Sequence, residues 1–275
     1  MHSTQAKVTV GAHPWVYAAS MPQCDITPEL ETIFADMSAA GMQGIELMSN
    51  VLEHEDAVDR ITRLSDEYGL PVIGSSHGAA MWDAAQQATI VQEAERVIPR
   101  LGQVGGRTLG VSVGASPGGT PKTPAQIDTQ AEVLSRLMGI CDDNGVVLNL
   151  HNHTYEVDSD LHDLGGTLER IPEVKLGPDL NWLLRGGVDP VWFIRKYADQ
   201  IVFLHLRDQQ ADGKWPEALG EGDMDYAAIA QALRDIGFAG DAVIELAHEP
   251  GFERTRPLRE SLRMSREFVR QTFGW

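Results

Sequence analysis

The stretch V-V-L-N-L-H-N-H-T-Y-E, residues 146–156, opens as a buried strand and then sets His151 and His153 two residues apart. Residues i and i+2 of a strand share a face, so both imidazoles point the same way while the strand continues. Such a pair can bind a metal, exchange protons with a substrate, or sit in the core satisfied by hydrogen bonds. Further along, three short apolar runs each carry one ionisable residue: Asp179 in P-D-L-N-W (178–182), His205 in F-L-H-L-R-D (203–208) and Glu245 in V-I-E-L (243–246). His151, Asp179, His205 and Glu245 together offer two imidazoles and two carboxylates. That mixed set suits Mn²⁺, Zn²⁺, Co²⁺ or Fe²⁺ better than Ca²⁺ or Mg²⁺, which favour all-oxygen shells. The expected cofactor is one divalent ion, Mn²⁺ first, then Zn²⁺, Co²⁺ or Fe²⁺, with Mg²⁺ last.

The surrounding elements must bring these residues to one place. Strand candidates lie at 7–12, 43–48, 71–76, 107–113, 146–152, 174–179, 201–206 and 242–246. Helix candidates lie at 28–40, 53–69, 83–103, 123–144, 160–170, 189–198, 225–236 and 257–271. Thr27-Pro28 and Asp189-Pro190 each read as a cap followed by proline at the first helical position. Eight strands alternating with eight helices predict parallel βαβ units. In 275 residues they predict an α/β fold of the closed (β/α)8 kind, a TIM barrel, forming a single domain over residues 1–275. The segments 114–122 and 208–224 are the expected loop insertions.

In such a barrel alternate strand residues face inward, and active-site groups gather at the C-terminal ends of the strands. On that parity Asn149, His151 and His153 share the inner face of the fifth strand, with Asp179 on the sixth and His205 and Arg207 on the seventh. Glu245 faces inward on the eighth, Glu46 on the second, and Ser75 and His77 on the third. Six strands sending polar groups to one end would cost too much desolvation as mere packing. They call for a metal, a substrate or each other.

Composition narrows the function. The chain has 22 Lys and Arg against 40 Asp and Glu, a formal net charge of −18. A duplex-binding surface must neutralise phosphates, so no nucleic-acid partner is expected. No run reaches the roughly 18 apolar residues of a membrane span, and the N-terminus lacks an apolar signal core. Cys24 and Cys141 are far apart and sit in no C-x-x-C motif, which argues against a disulfide framework. The expected setting is the cytoplasm, with no membrane partner.

Taken together, the motifs resemble the xylose isomerase-like TIM barrels, the sugar phosphate isomerase/epimerase superfamily. The resemblance is carried by G-I-E-L (44–47), G-V-V-L-N-L-H-N-H (145–153), P-D-L-N-W, F-L-H-L-R-D, G-E-G-D-M-D-Y (220–226) and V-I-E-L, in that order along most of the chain. It implies one divalent cation at the ends of strands five to eight, held by Glu, Asp, His and Glu. The last three match Asp179, His205 and Glu245. Where the family reads L-E-N-H this chain reads L-H-N-H, so His151 stands where Glu is usual.

The resemblance also implies proton abstraction next to the carbonyl of a keto-sugar, with the glutamates of strands five and eight exchanging the proton. Only Glu245 remains of that pair, and a metal-bound imidazole at 151 is a poor base. Two readings follow. In the first, His153, Glu156 or Glu46 supplies the second acid/base group and the chain is an isomerase or epimerase. In the second, the enzyme expels a β-leaving group, as dehydratase or lyase on a keto-inositol, 3-keto sugar or 3-keto glycoside. A His-rich fifth strand is the mark of the superfamily's inosose dehydratase branch. More distant readings are a sugar-binding barrel without catalysis, and the apurinic endonuclease branch, which binds three zinc ions and would want a ligand where Trp182 stands. Barrels of this group often self-associate, which implies a homo-oligomer. The implied substrate is a small sugar or cyclitol. It is read as unphosphorylated, because Arg207 and Lys214 are the only obvious cations for a phosphate near strands seven and eight.

The individual residues keep alternatives. His151 is a ligand or a satisfied core histidine, and His153 a substrate-contacting acid/base group or a ligand. Asp179 could instead cap a helix or pair with Lys175; Glu46 and His77 contact substrate or serve packing. Arg207 binds substrate or pairs with Asp208, Glu221 or Asp223, while Glu156 faces substrate or solvent. Trp15 and Trp182, with His13 and Trp82, are candidates for the pocket wall, where rings stack on sugar faces. His2, His54, His162 and His248 have no supporting pattern and are expected on the surface.

Overall fold

The structure, a computed structural model, describes residues 8–275. His2, and Lys7 at the start of the expected first strand, lie outside the described residues. Eight parallel strands run β1 (Thr9–Ala12), β2 (Ile45–Met48), β3 (Val72–Gly78), β4 (Thr108–Ser112), β5 (Val147–Leu150), β6 (Lys175–Leu176), β7 (Phe203–Leu206) and β8 (Asp241–Ile244). They pair in the order β6-β5-β4-β3-β2-β1-β8-β7. The two ends of this sheet meet: Val202 N–H donates to Leu176 O and His205 N–H to Pro178 O. Bridges Leu176–Ile201 and Asp179–His205 complete the closure. The expected (β/α)8 barrel is what forms.

Helices α1 (Trp15–Ala18), α2 (Leu30–Ala39), α3 (Ala57–Tyr68), α4 (Gln87–Gln103), α5 (Pro124–Asp143), α6 (Thr154–Arg170), α7 (Leu180–Arg185), α8 (Pro190–Lys196), α9 (Tyr226–Asp235) and α10 (Leu258–Phe273) surround the strands. Their starts follow local chemistry. Thr123 Oγ1 accepts from Gln126 N–H and Gln126 Oε1 from Thr123 N–H, a reciprocal cap ahead of Pro124. Asp189 Oδ1 accepts from Val191 N–H at 2.9 Å, as the Asp-Pro pair predicts. Thr27-Pro28 behaves differently. Asp25 Oδ1 takes the Thr27 N–H at 2.9 Å, a tight 3₁₀ turn covers Thr27–Glu29, and α2 starts only at Leu30. α6 leaves helical geometry at Asp158–Leu161, so the helix expected over 160–170 forms its second part, preceded by an extra turn at 154–157 directly after His153; the short α1 and α7 are additional.

Phe34, Phe193 and Phe203 are fully buried, each side chain stabilising the fold by about 1.5–3 kcal/mol. One parity assignment is corrected. Ser76, not Ser75, pairs with Gly110 on the inward register, while Ser75 pairs with Leu47 and Leu109. A register shift at Ile45/Glu46 moves the third strand by one position relative to the second. No helix among the described residues is long and apolar enough to cross a membrane.

Candidate metal centre and active-site cavity

His151 follows the last residue of β5. Its N–H donates to Val111 O at 2.9 Å, which carries the ladder with β4 one step past Leu150. Asp179 opens α7: its Oδ1 accepts from the N–H groups of Asn181 and Trp182, both at 2.9 Å. His205 lies within β7, and Glu245 follows β8 with its N–H donating to Leu206 O at 3.0 Å. One donor atom from each of these four residues lies within 4.8 Å of all the others. Donors on opposite sides of an ion stand about 4.2 Å apart at bond lengths of 2.0–2.2 Å, so the set needs only slight closure.

His151 Nδ1 is buried without a hydrogen-bond partner. Burial, then His205 and His153, hold the His151 pKa well below 6.5, so its imidazole is neutral with a lone pair to give. The four residues therefore fit a divalent ion. Room for the cluster comes partly from Gly110, where a Cβ would stand 3.3 Å from Glu46 Oε1.

Beneath the cluster Glu46 is 0% exposed, with Oε2 3.1 Å from His205 Nε2. His205 Nδ1 lies 2.6 Å from Glu245 Oε2. Burial opposes charge on His205, yet Glu46 and then Glu245 raise its pKa to about 10. Arg207 donates through Nε to Asp179 Oδ2 at 3.1 Å and pairs through Nη2 with Glu245 Oε1. Burial pushes Glu245 up, but Arg207, His13 and His205 outweigh it and hold this carboxylate well below its usual range.

The ion pairs weighed from sequence for Arg207 are not made. Asp208 instead accepts from Gly220 and Gly222 N–H and so folds the 208–224 loop. Glu221 pairs with Arg256, and Asp223 accepts from Ala211 N–H. Nor does Lys175 pair with Asp179; its Nζ reaches Asp199 O.

Above the cluster opens a cavity of about 310 Å³, with Trp15, His77, His153, Trp182 and Arg207 on its walls and His151, His205 and Glu245 at its floor. Glu46 and Trp82 are not among its lining residues. His13 is buried; its Nε2 lies 2.8 Å from Ser76 Oγ and its Nδ1 accepts the Trp15 N–H at 3.2 Å. It thereby anchors the Trp15 wall. His77 Nδ1 lies 3.0 Å from Ser49 Oγ, and burial lowers its pKa to about 4. His54 and His162 are on the surface, whereas His248 is half-buried and stacked on Phe252.

Glu156 faces neither solvent nor the cavity. Its Oε2 accepts the His153 N–H at 2.6 Å, and its Oε1 accepts from Ser112 Oγ at 2.6 Å and Val113 N–H at 3.1 Å. Burial raises its pKa to about 7. His153 lies between, 5.1 Å from the His151 ring and stacked on Tyr155 at 5.3 Å.

Two contributors escape a reading of the sequence. Ser112 shares the inward parity of Gly110, and that parity is the signal by which it could be found. Asn152, between the two histidines, donates through Nδ2 to Asp179 O at 3.3 Å and accepts the Asp179 N–H at 3.2 Å; no pattern flags it.

Known proteins share this architecture. The family model described as xylose isomerase-like TIM barrel matches residues 34–268. An inosose dehydratase of Geobacillus kaustophilus is 25% identical over 147 residues, 46% of this chain and 48% of that protein. The chain thus spans about half the length of that relative. An inosose dehydratase of Clostridium perfringens is 21% identical over 98% of this chain and 99% of its own. Among solved structures, an L-ribulose 3-epimerase superposes with a TM-score of 0.80 at 22% identity, covering 98% of this chain and 95% of that one.

Proposed function

This chain belongs to the xylose isomerase-like TIM-barrel family, and from that premise we propose that it is a divalent-metal-dependent enzyme that removes a proton next to the carbonyl of a keto-sugar or keto-cyclitol, giving isomerisation or epimerisation. The observation that carries this reading is the convergence of His151, Asp179, His205 and Glu245 within 4.8 Å, with all but the fully buried Asp179 at the floor of a cavity of monosaccharide size. Mn²⁺ or Zn²⁺ suits the two-nitrogen, two-oxygen set. When bound, such an ion polarises a carbonyl and stabilises negative charge developing beside it.

The chain's own residues supply the rest. Trp15 and Trp182 offer ring faces to a sugar, and His77 with Ser49 offers polar contacts at the far wall. Arg207 is already balanced by Asp179 and Glu245, which favours an uncharged substrate over a phosphorylated one. In this reading His153, on the cavity wall, takes the proton. Both Glu245 carboxylate oxygens are engaged, Oε1 by Arg207 and Oε2 by His205, which leaves them less free than the His153 ring to take a proton. In epimerisation Glu245 would serve as the partner on the opposite face.

A second reading, dehydration, has its own support. Both inosose dehydratases are its relatives by sequence. A single base also suffices when the proton and the departing hydroxyl share a face, because His153 can take the proton and return it to the hydroxyl, which leaves as water. Incubation of the Mn²⁺-loaded protein with keto-sugars and keto-inositols in deuterated water separates the readings. Deuterium entering the recovered substrate or an isomer supports the first; loss of water supports the second. No exchange and no elimination with any of them would reject both.

A further inference from the structure

The surroundings of His153 decide which of its nitrogens can act. Ser112 Oγ–H is committed to Glu156 Oε1 at 2.6 Å, and that carboxylate also accepts from the N–H groups of Val113 and His153. With its one proton spent, Ser112 Oγ can only accept from its other neighbours. His153 Nδ1 lies 3.1 Å away and Tyr155 Oη 3.0 Å away, with 3.2 Å between those two. A lone pair on Nδ1 would face the lone pairs of Ser112 Oγ. A proton on Nδ1 instead makes all three contacts of Ser112 Oγ run donor to acceptor: Nδ1–H to Ser112, Tyr155 O–H to Ser112, and Ser112 O–H to Glu156.

We propose that Ser112 and Glu156 are positioning residues that hold His153 in its Nδ1-protonated tautomer, leaving an unprotonated Nε2 turned to the cavity to receive the substrate proton. The assignment rests on His153 being the base under the proposed function. It explains why Glu156 is buried here: as an acceptor of three N–H and O–H groups, this carboxylate fixes the direction of the Ser112 hydroxyl. It also fixes the ring's place, since the His153 N–H is one of the three. Tyr155 contributes its stacked ring, at 12° to the imidazole, and not a proton to Nδ1.

The test is nitrogen NMR of the full-length, Zn²⁺-loaded protein with ¹⁵N-labelled histidine, the His153 signals being assigned by their loss in His153→Gln. It is run near pH 8.5, above the value of about 7 to which burial raises Glu156, so that this group is ionised. The expected spectrum has a pyrrole-type Nδ1 and a pyridine-type Nε2. Ser112→Ala should shift His153 to a mixture or to the opposite tautomer, Ser112→Thr should restore the original, and Tyr155→Phe should leave it unchanged. In parallel, deuterium wash-in to a keto-inositol should fall about ten- to a hundredfold in Ser112→Ala, part of the 10²–10⁴ range of a general base, with KM and zinc content preserved. An Nε2-protonated wild type, an unchanged Ser112→Ala spectrum, or a tautomer lost in Tyr155→Phe would overturn the proposal. Absence of wash-in by the wild type, with the spectra as expected, would overturn the functional reading and leave the tautomer assignment standing.

Discussion

Asp179 divides its carboxylate between two roles, and the division can be measured. Oδ1 caps α7 by accepting from Asn181 and Trp182, while Oδ2 holds Arg207 in a fully buried pair. Asp179→Ala removes both. A lost cap costs about 1 kcal/mol, and breaking a buried pair from one side costs about 3–5 kcal/mol. Arg207 keeps Glu245, so the lower end applies, and the total is about 4 kcal/mol. Asp179→Asn retains an oxygen for the cap and should lose only about 3 kcal/mol. Both variants should still fold, since domains have about 5–15 kcal/mol in hand. Urea unfolding of the chelator-treated protein, followed by tryptophan fluorescence, reads the difference. With m of about 3 kcal/mol per M, Asn should lower the midpoint by about 1 M and Ala by about a further 0.3 M. Coincident midpoints for the two variants would refute the cap, and a wild-type midpoint for Asn would refute the contribution of the Arg207 pair.

Metal binding should be linked to protons. His205 is protonated up to about pH 10 without an ion, and a ligand imidazole must be neutral. Binding at neutral pH should therefore release about one proton, and affinity should rise about tenfold per pH unit between 6 and 9; calorimetry in buffers of different ionisation enthalpy reads the release, and a pH-independent affinity would contradict it. His205→Ala or Glu245→Ala should lose the bound divalent ion and all turnover, as metal analysis and the deuterium assay would show. His151→Ala should also lose the ion whereas His151→Glu should keep it; unchanged metal content in His151→Ala would remove His151 from the ligand set.

Strand order and barrel closure were legible because eight apolar runs alternate with amphipathic ones, and parity alone drew His151, Asp179, His205 and Glu245 to one end. What parity could not show was how the charges partner. For Arg207 the sequence left a substrate contact or a pair with Asp208, Glu221 or Asp223; Asp208 is consumed by the amides of Gly220 and Gly222, which leaves Arg207 to the carboxylates across the barrel. For Glu156, past the end of a strand, the sequence left substrate or solvent; a helical turn at 154–157, ahead of the expected helix, carries that side chain inward to Ser112 instead. Ser75 and Ser76 exchanged places because a register shift in a neighbouring strand leaves no trace in local composition.

The amide of Asn152 grips both the N–H and the C=O of Asp179. The sixth strand is only two residues long and ends well short of the cluster, so this side chain replaces the missing rungs of the ladder. It ties the tips of the fifth and sixth strands together: the spacing of His151 and Asp179 is set by that side-chain clasp, while the spacing to His205 and Glu245 is set by the barrel's seam. Arg207, bonded to Asp179 on one side and to Glu245 on the other, then straps the two halves of the centre together from within.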